Sequence, residues 1–150
     1  MNETHARRLL NSYKHWTGKE LIPIDSKLPL LEQLEESAVV ILSHGTEPDP
    51  ILNYGNAKAL SLWEMSKEQF TKTPSRLTAE PMEREQRAEF FRNVTSNGYV
   101  DNYTGIRISA TGRRFYIKEA TVWNVLDEQG QYCGQAAAFR TIERIERIES

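Results

Sequence analysis

A chain of 150 residues, 39% hydrophobic and 27% charged, has the size of one domain and is too apolar for disorder. Its 19 basic and 21 acidic side chains leave a net charge of −2, which argues against the concentrated basic face of a nucleic-acid binder. No apolar run reaches the ~18 residues that span a bilayer, the opening MNETHARRLL lacks a signal core, and the lone Cys133 suits a reducing compartment, so a cytosolic protein free of membrane and nucleic acid is expected.

Residues 5–17 place Ala6, Leu9, Leu10, Tyr13 and Trp16 on one side of a helix that Gly18 stops. That apolar stripe must pack on the sheet or on a second subunit. Beyond a loop with Pro23 and Pro29, Leu30–Ser37 reads as a short helix. AVVIL (Ala38–Leu42) reads as a buried strand closed by the turn-forming SHGTEPDP, and Ile51–Tyr54 as a second strand. Asn56 caps a helix carrying Ala59, Leu60, Leu62 and Trp63, and Ser66 opens another with Phe70 on its apolar side. Pro74 and Pro81 bracket an irregular stretch, and Phe90, Phe91 and Val94 stripe a helix from Met82 to Asn97.

Three β-type runs end the chain: Tyr99–Ser109, Arg113–Leu126 and Gln131–Ile142. Both separators, Ala110-Thr111-Gly112 and Asp127-Glu128-Gln129-Gly130, are turn chemistry, so the runs form an antiparallel meander. The order predicts an α+β domain, a five-stranded antiparallel sheet with its helices on one face and an N-terminal helix besides.

This order resembles the PAS arrangement. YGNAKALSLWEMSKEQF (Tyr54–Phe70) is similar to the PAS segment in which a strand ends in an aromatic, an Asn caps one helix and a Ser opens the next. More narrowly, SHGTEPDPILNYGN, LWEM, TPSRLTAEP and GQYCGQAA resemble the MEKHLA family, which occurs as stand-alone bacterial proteins and at the C-terminus of plant homeodomain–leucine-zipper regulators. The resemblance implies a PAS-like sensor over residues 28–142, preceded by a helix and linker at 1–27 and followed by a charged tail at 143–150. It also implies a homodimer through Ala6, Leu9, Tyr13 and Trp16, and an unidentified protein effector. Ile142, Ile145 and Ile148 look like the start of a coiled-coil linker.

Light-oxygen-voltage flavin domains are more distantly similar. Where they carry Asn-Cys-Arg-Phe-Leu-Gln, this chain reads Pro74-Ser75-Arg76-Leu77-Thr78-Ala79, so only Arg76 remains and no thiol stands ready for a photoadduct. Arg76 could reach a phosphate; pairing with a surface carboxylate such as Glu80 is the preferred reading, and no cofactor is expected. Phe139 stands where those domains place a ring-binding Gln.

One strand face should carry Cys133, Gln135, Ala137 and Phe139, its small residues leaving room beneath Trp63 and Phe91. On the neighbouring strand, counting from Gly112 points Phe115 and Ile117 inward, whereas counting back from Asp127 points Ala120, Val122 and Asn124 inward. Both hold only with a bulge near Lys118-Glu119. The result is a small apolar pocket with one polar handle, as ligand sites often have; small residues merely admitting Trp63 into the core explain the same pattern. His44, Glu47 and Asp49 cross a Pro-rich turn and lack a fourth metal ligand. No nucleophile elbow, phosphate loop or zinc-protease motif is present, so a binding module, not an enzyme, is expected.

Overall fold

The computed structural model describes residues 2–79 and 81–145, without the side chains of residues 81–84, 87 and 91. Helix α1 (Glu3–Thr17) is capped by Asn2, whose side chain accepts from the His5 amide, and ends on Gly18 at φ 73°. The Glu3 carboxylate accepts from the Leu30 and Leu31 amides at 2.6 and 3.0 Å. It thereby caps helix α2 (Leu30–Glu35), where Pro29 supplies no side-chain cap, and those two donors hold Glu3 below the ordinary carboxylate range.

Strands β1 (Val40–His44) and β2 (Leu52–Gly55) lead to α3 (Ala57–Trp63), α4 (Lys67–Phe70), a 3₁₀ turn (Ser75–Thr78) and α5 (Pro81–Asn97). The C-terminal third forms β3 (Tyr99–Ile108), β4 (Arg114–Leu126), β5 (Tyr132–Phe139) and β6 (Thr141–Arg144). All pairings are antiparallel, in the order β2-β1-β5-β4-β3. The expected single run Gln131–Ile142 breaks at Arg140: β5 pairs with Thr121–Leu126 and β6 with Phe115–Lys118, end to end along one edge of β4. Ile142, expected to begin a coiled coil, is a strand residue packed on the core; Ile148 lies outside the described residues.

β1 runs through Ser43 and His44, which the sequence reading placed in a turn. Ser43 donates its hydroxyl to Asn53 Oδ1 at 2.5 Å and meets His5 Nε2 at 3.1 Å, so cross-strand and helix contacts satisfy groups that look turn-forming in isolation.

Helices cover both faces of the sheet. Ile41, Trp123, Val125, Ala136 and Ala138 pack on one side with Ala6, Leu9 and Leu10 of α1 and Leu34 of α2. Leu42, Phe115, Ile117, Ala120 and Phe139 pack on the other with Ala59, Leu62 and Trp63 of α3 and Phe70 of α4. The stripe expected to pack on the sheet or on a second subunit packs on the sheet. Ala6 and Leu9 are fully buried, Tyr13 sits edge-on to Trp123, and Trp16 Nε1 donates to the Asn124 carbonyl at 2.9 Å. Residues 6–22 contribute to the same core, because half the sheet would otherwise expose apolar side chains.

Candidate functional site

The site lies between the sheet and α3, where β4 and β5 run side by side. β4 takes three steps from Ile117 to Ala120 while β3 takes two from Gly105 to Tyr103, and Glu119 adopts φ 53°. This is the bulge read from the two conflicting counts. It turns Phe115, Ile117, Ala120, Val122 and Asn124 all to the side of α3 and α5.

A second bulge, on β5, was not foreseen. Val125 pairs with Gly134 but Leu126 with Tyr132, so one residue is inserted, and Gly134 takes φ 151°. The alternation therefore reverses. Gln135, Ala137 and Phe139 face the site as expected, but Cys133 packs on the α1 side and Tyr132 takes its place at the site's mouth. Burial outweighs the nearby Arg8 guanidinium and pushes the Cys133 thiol up, away from reactive thiolate.

These strands enclose a cavity of about 30 Å³. Trp63, Val122, Gln135, Ala137 and Phe139 line it as expected; the side chain of Phe91 lies outside the described residues. Ile117 lines it too, as the count from Gly112 points it, whereas Leu42, Ser75, Thr78 and Arg107 also line it and escaped the sequence reading. His44, Ser75 and Gln135 also border an open groove of about 420 Å³ that runs past Pro48, Arg76, Arg92 and Tyr132, so the groove adjoins the cavity on the side that we term its mouth.

Polar groups around the mouth are interlocked. Gln135 Nε2 donates to Thr95 Oγ1 at 2.8 Å and to Asn124 Oδ1 at 3.1 Å. Asn124 Nδ2 in turn donates to the Val94 and Thr95 carbonyls, both at 3.2 Å. The expected polar handle is thus a strut joining β5, β4 and α5. Arg76 pairs with a surface carboxylate, Asp49, at 3.1 Å in an exposed contact; Glu80, named as an example of such a partner, lies outside the described residues.

Two groups deeper in the wall are unmatched. Trp63 is 1% exposed, and its Nε1–H has no hydrogen-bond partner among the described residues. Arg107 is 6% exposed, and among the described residues its guanidinium donates to the Ile106 carbonyl and the Tyr103 hydroxyl and forms no ion pair. Among the described residues no three potential metal ligands cluster, and no helix is long and apolar enough to cross a membrane.

The chain matches the family model of the MEKHLA domain over residues 3–144. It is 27% identical over 137 residues to homeobox-leucine zipper protein ATHB-9 and 27% over 136 residues to ATHB-14, both of Arabidopsis thaliana. Each match covers 87% of this chain but 16% of the relative, so the chain spans about one sixth of the length of these relatives. Among solved structures it resembles the PAS domain of a Colwellia psychrerythraea protein (19% identity, TM-score 0.61, 77% of this chain and 92% of that one). It also resembles an RNA-binding light-oxygen-voltage receptor (18%, 0.61, 81% and 36%) and a light-oxygen-voltage domain studied with a flavin analogue (13%, 0.61, 79% and 86%). At these identities the likeness extends to the fold alone. With the family model spanning α1 to β6, the chain belongs to the MEKHLA domain family and folds as a PAS-like α+β domain.

Proposed function

We propose that this domain is a sensory or regulatory module that takes a small ligand into the cavity between β4, β5 and α3, and that it binds without catalysing. The observation that carries the reading is the cavity itself, lined by Ala137 and sharing His44, Ser75 and Gln135 with the adjoining groove. Concave, largely apolar sites with few polar groups are the usual form of a small-molecule pocket.

The ligand is small. About 30 Å³ is far below the ~300–1,000 Å³ of pockets for drug-sized molecules, which favours a ligand smaller than a flavin. Phe139 and Trp63, 6.2 Å apart between ring centroids, both line the cavity, and Ser75 offers no thiol. The competing reading, a ligand-free dimerisation module, rested on the α1 stripe, which lies against its own sheet.

Native mass spectrometry of freshly purified protein tests the reading. The parent should carry a small-molecule mass excess that Ala137→Leu, which fills the cavity, loses while remaining folded. A bare parent, with the Leu variant destabilised by ~1–3 kcal/mol as an overpacked core, would overturn it.

A further inference from the structure

We propose that the cavity receives the carboxylate of a small organic acid, with the Arg107 guanidinium as its counter-ion and the Trp63 indole N–H as a second donor. This rests on the binding reading above and names the class of ligand.

Arg107 is directed inward because it pairs across the sheet with Phe115, which is fully buried on the side of α3. Its Nη1 donates to the Ile106 carbonyl at 2.8 Å and its Nη2 to the Tyr103 hydroxyl at 3.3 Å. Those bonds use two of the five guanidinium N–H groups. The Tyr103 ring, 5.5 Å away and stacked on Phe90, offers a π face but no negative charge. Glu64, near the end of β3, is already engaged by Ser109, Thr111 and Arg113. No carboxylate among the described residues forms an ion pair with Arg107.

A buried cation without a counter-ion is expensive, and proteins normally pair it. Among the described residues no such partner pairs with Arg107, and Arg107 lines a cavity. Trp63 supplies the second observation. Its ring lies 5.3 Å from Phe115, the cross-strand partner of Arg107; its buried N–H finds no partner among the described residues, and Trp63 lines the same cavity as Arg107. A carboxylate answers both needs, since its oxygens accept from a planar guanidinium fork and retain lone pairs for an indole N–H. Leu42, Ile117, Val122 and Ala137 leave an apolar lining for a short hydrocarbon tail.

The indole N–H resonance of Trp63 in ¹⁵N-labelled protein, assigned by comparison with Trp63→Phe, reads the site directly. Propionate, butyrate and benzoate are titrated alongside their primary amides, which match them in shape and lack the charge. Each carboxylate should shift the Trp63 resonance saturably and bind about tenfold or more tightly than its amide, as expected for a charge-assisted hydrogen bond. Arg107→Gln should erase that preference, and Arg107→Lys should weaken it. The carboxylate-to-amide ratio in the parent decides the matter even if both variants fail to fold. Equal binding of acids and amides would overturn the anion assignment while leaving a ligand-binding cavity. A Trp63 resonance that no probe moves, in protein that still shows the native-mass adduct, would overturn the assignment alone; the same silence in protein without an adduct would remove both readings.

Discussion

Asn56 joins four backbone groups with one fully buried amide. Its Oδ1 accepts from Ala59 and Ile41, and its Nδ2 donates to the Leu34 and Val39 carbonyls, all between 2.8 and 3.3 Å. At an exposed helix start Asp would replace it freely; here an Asp would set a carboxylate against two carbonyl oxygens. Asn56→Asp should therefore cost at least as much as Asn56→Ala, roughly 2–4 kcal/mol by chemical denaturation, since each orphaned buried group costs about 1–3 kcal/mol. His5 makes a pH-dependent contribution. Burial, and then the Arg8 guanidinium, push its imidazole below the ordinary value. The Ser43 hydroxyl proton is committed to Asn53, so the hydrogen-bond network assigns His5 the tautomer that donates Nε2–H to Ser43. A base depressed in the fold favours folding while neutral: the contribution is complete above its unfolded pKa of ~6.5 and is lost as pH falls below it. Stability should decline between about pH 7 and pH 5, and His5→Gln should flatten that decline. Glu3, Glu64 and Glu128, all held below the ordinary carboxylate range, lose their contributions only as pH falls from 4.5 toward their lower folded values.

The bulges govern which residues reach the site. The β4 bulge was legible because the turns at Gly112 and Asp127 pin both ends of one strand and their counts disagree by one. The β5 bulge was not, since Gly134 sits among small residues that read equally well as a plain strand, and the error moved Cys133 to the wrong face. Arg107 was missed for a related reason. β3 carries its own inserted residue at Asn102, φ 56°, so its alternation cannot be counted through, and an Arg beside a turn reads as solvated. Caps fared best: Asn56 and Ser66 sit where a short polar side chain precedes an apolar period, a signal contained in a few consecutive residues. Gly134 makes the bulge testable. A Cβ there would collide with the His44 carbonyl oxygen in a backbone region that L residues rarely adopt. Gly134→Ala should destabilise the fold and, by shifting Gln135, reduce ligand binding more than Gly130→Ala does, where a Cβ meets nothing within 4 Å.

At the level of the whole molecule, one sheet serves two cores that differ in task. The α1 side is closed by an apolar helix and by the Arg8–Glu128 pair at 2.8 Å, an exposed contact worth little by itself. The opposite side holds the cavity, the unmatched Arg107 and the mouth beneath α5. Replacing Leu9 and Trp16 with polar residues should lower stability by roughly 2–5 kcal/mol, with elution volume unchanged because the stripe faces its own sheet. The central claim, that a small ligand occupies the second core, is tested most directly by melting the parent and Ala137→Leu side by side, with and without the small-molecule fraction of a cell extract. The account expects a rise in melting temperature for the parent alone, with the Leu variant folded and unresponsive. A parent whose melting temperature does not move, beside a Leu variant that is simply less stable, would contradict it.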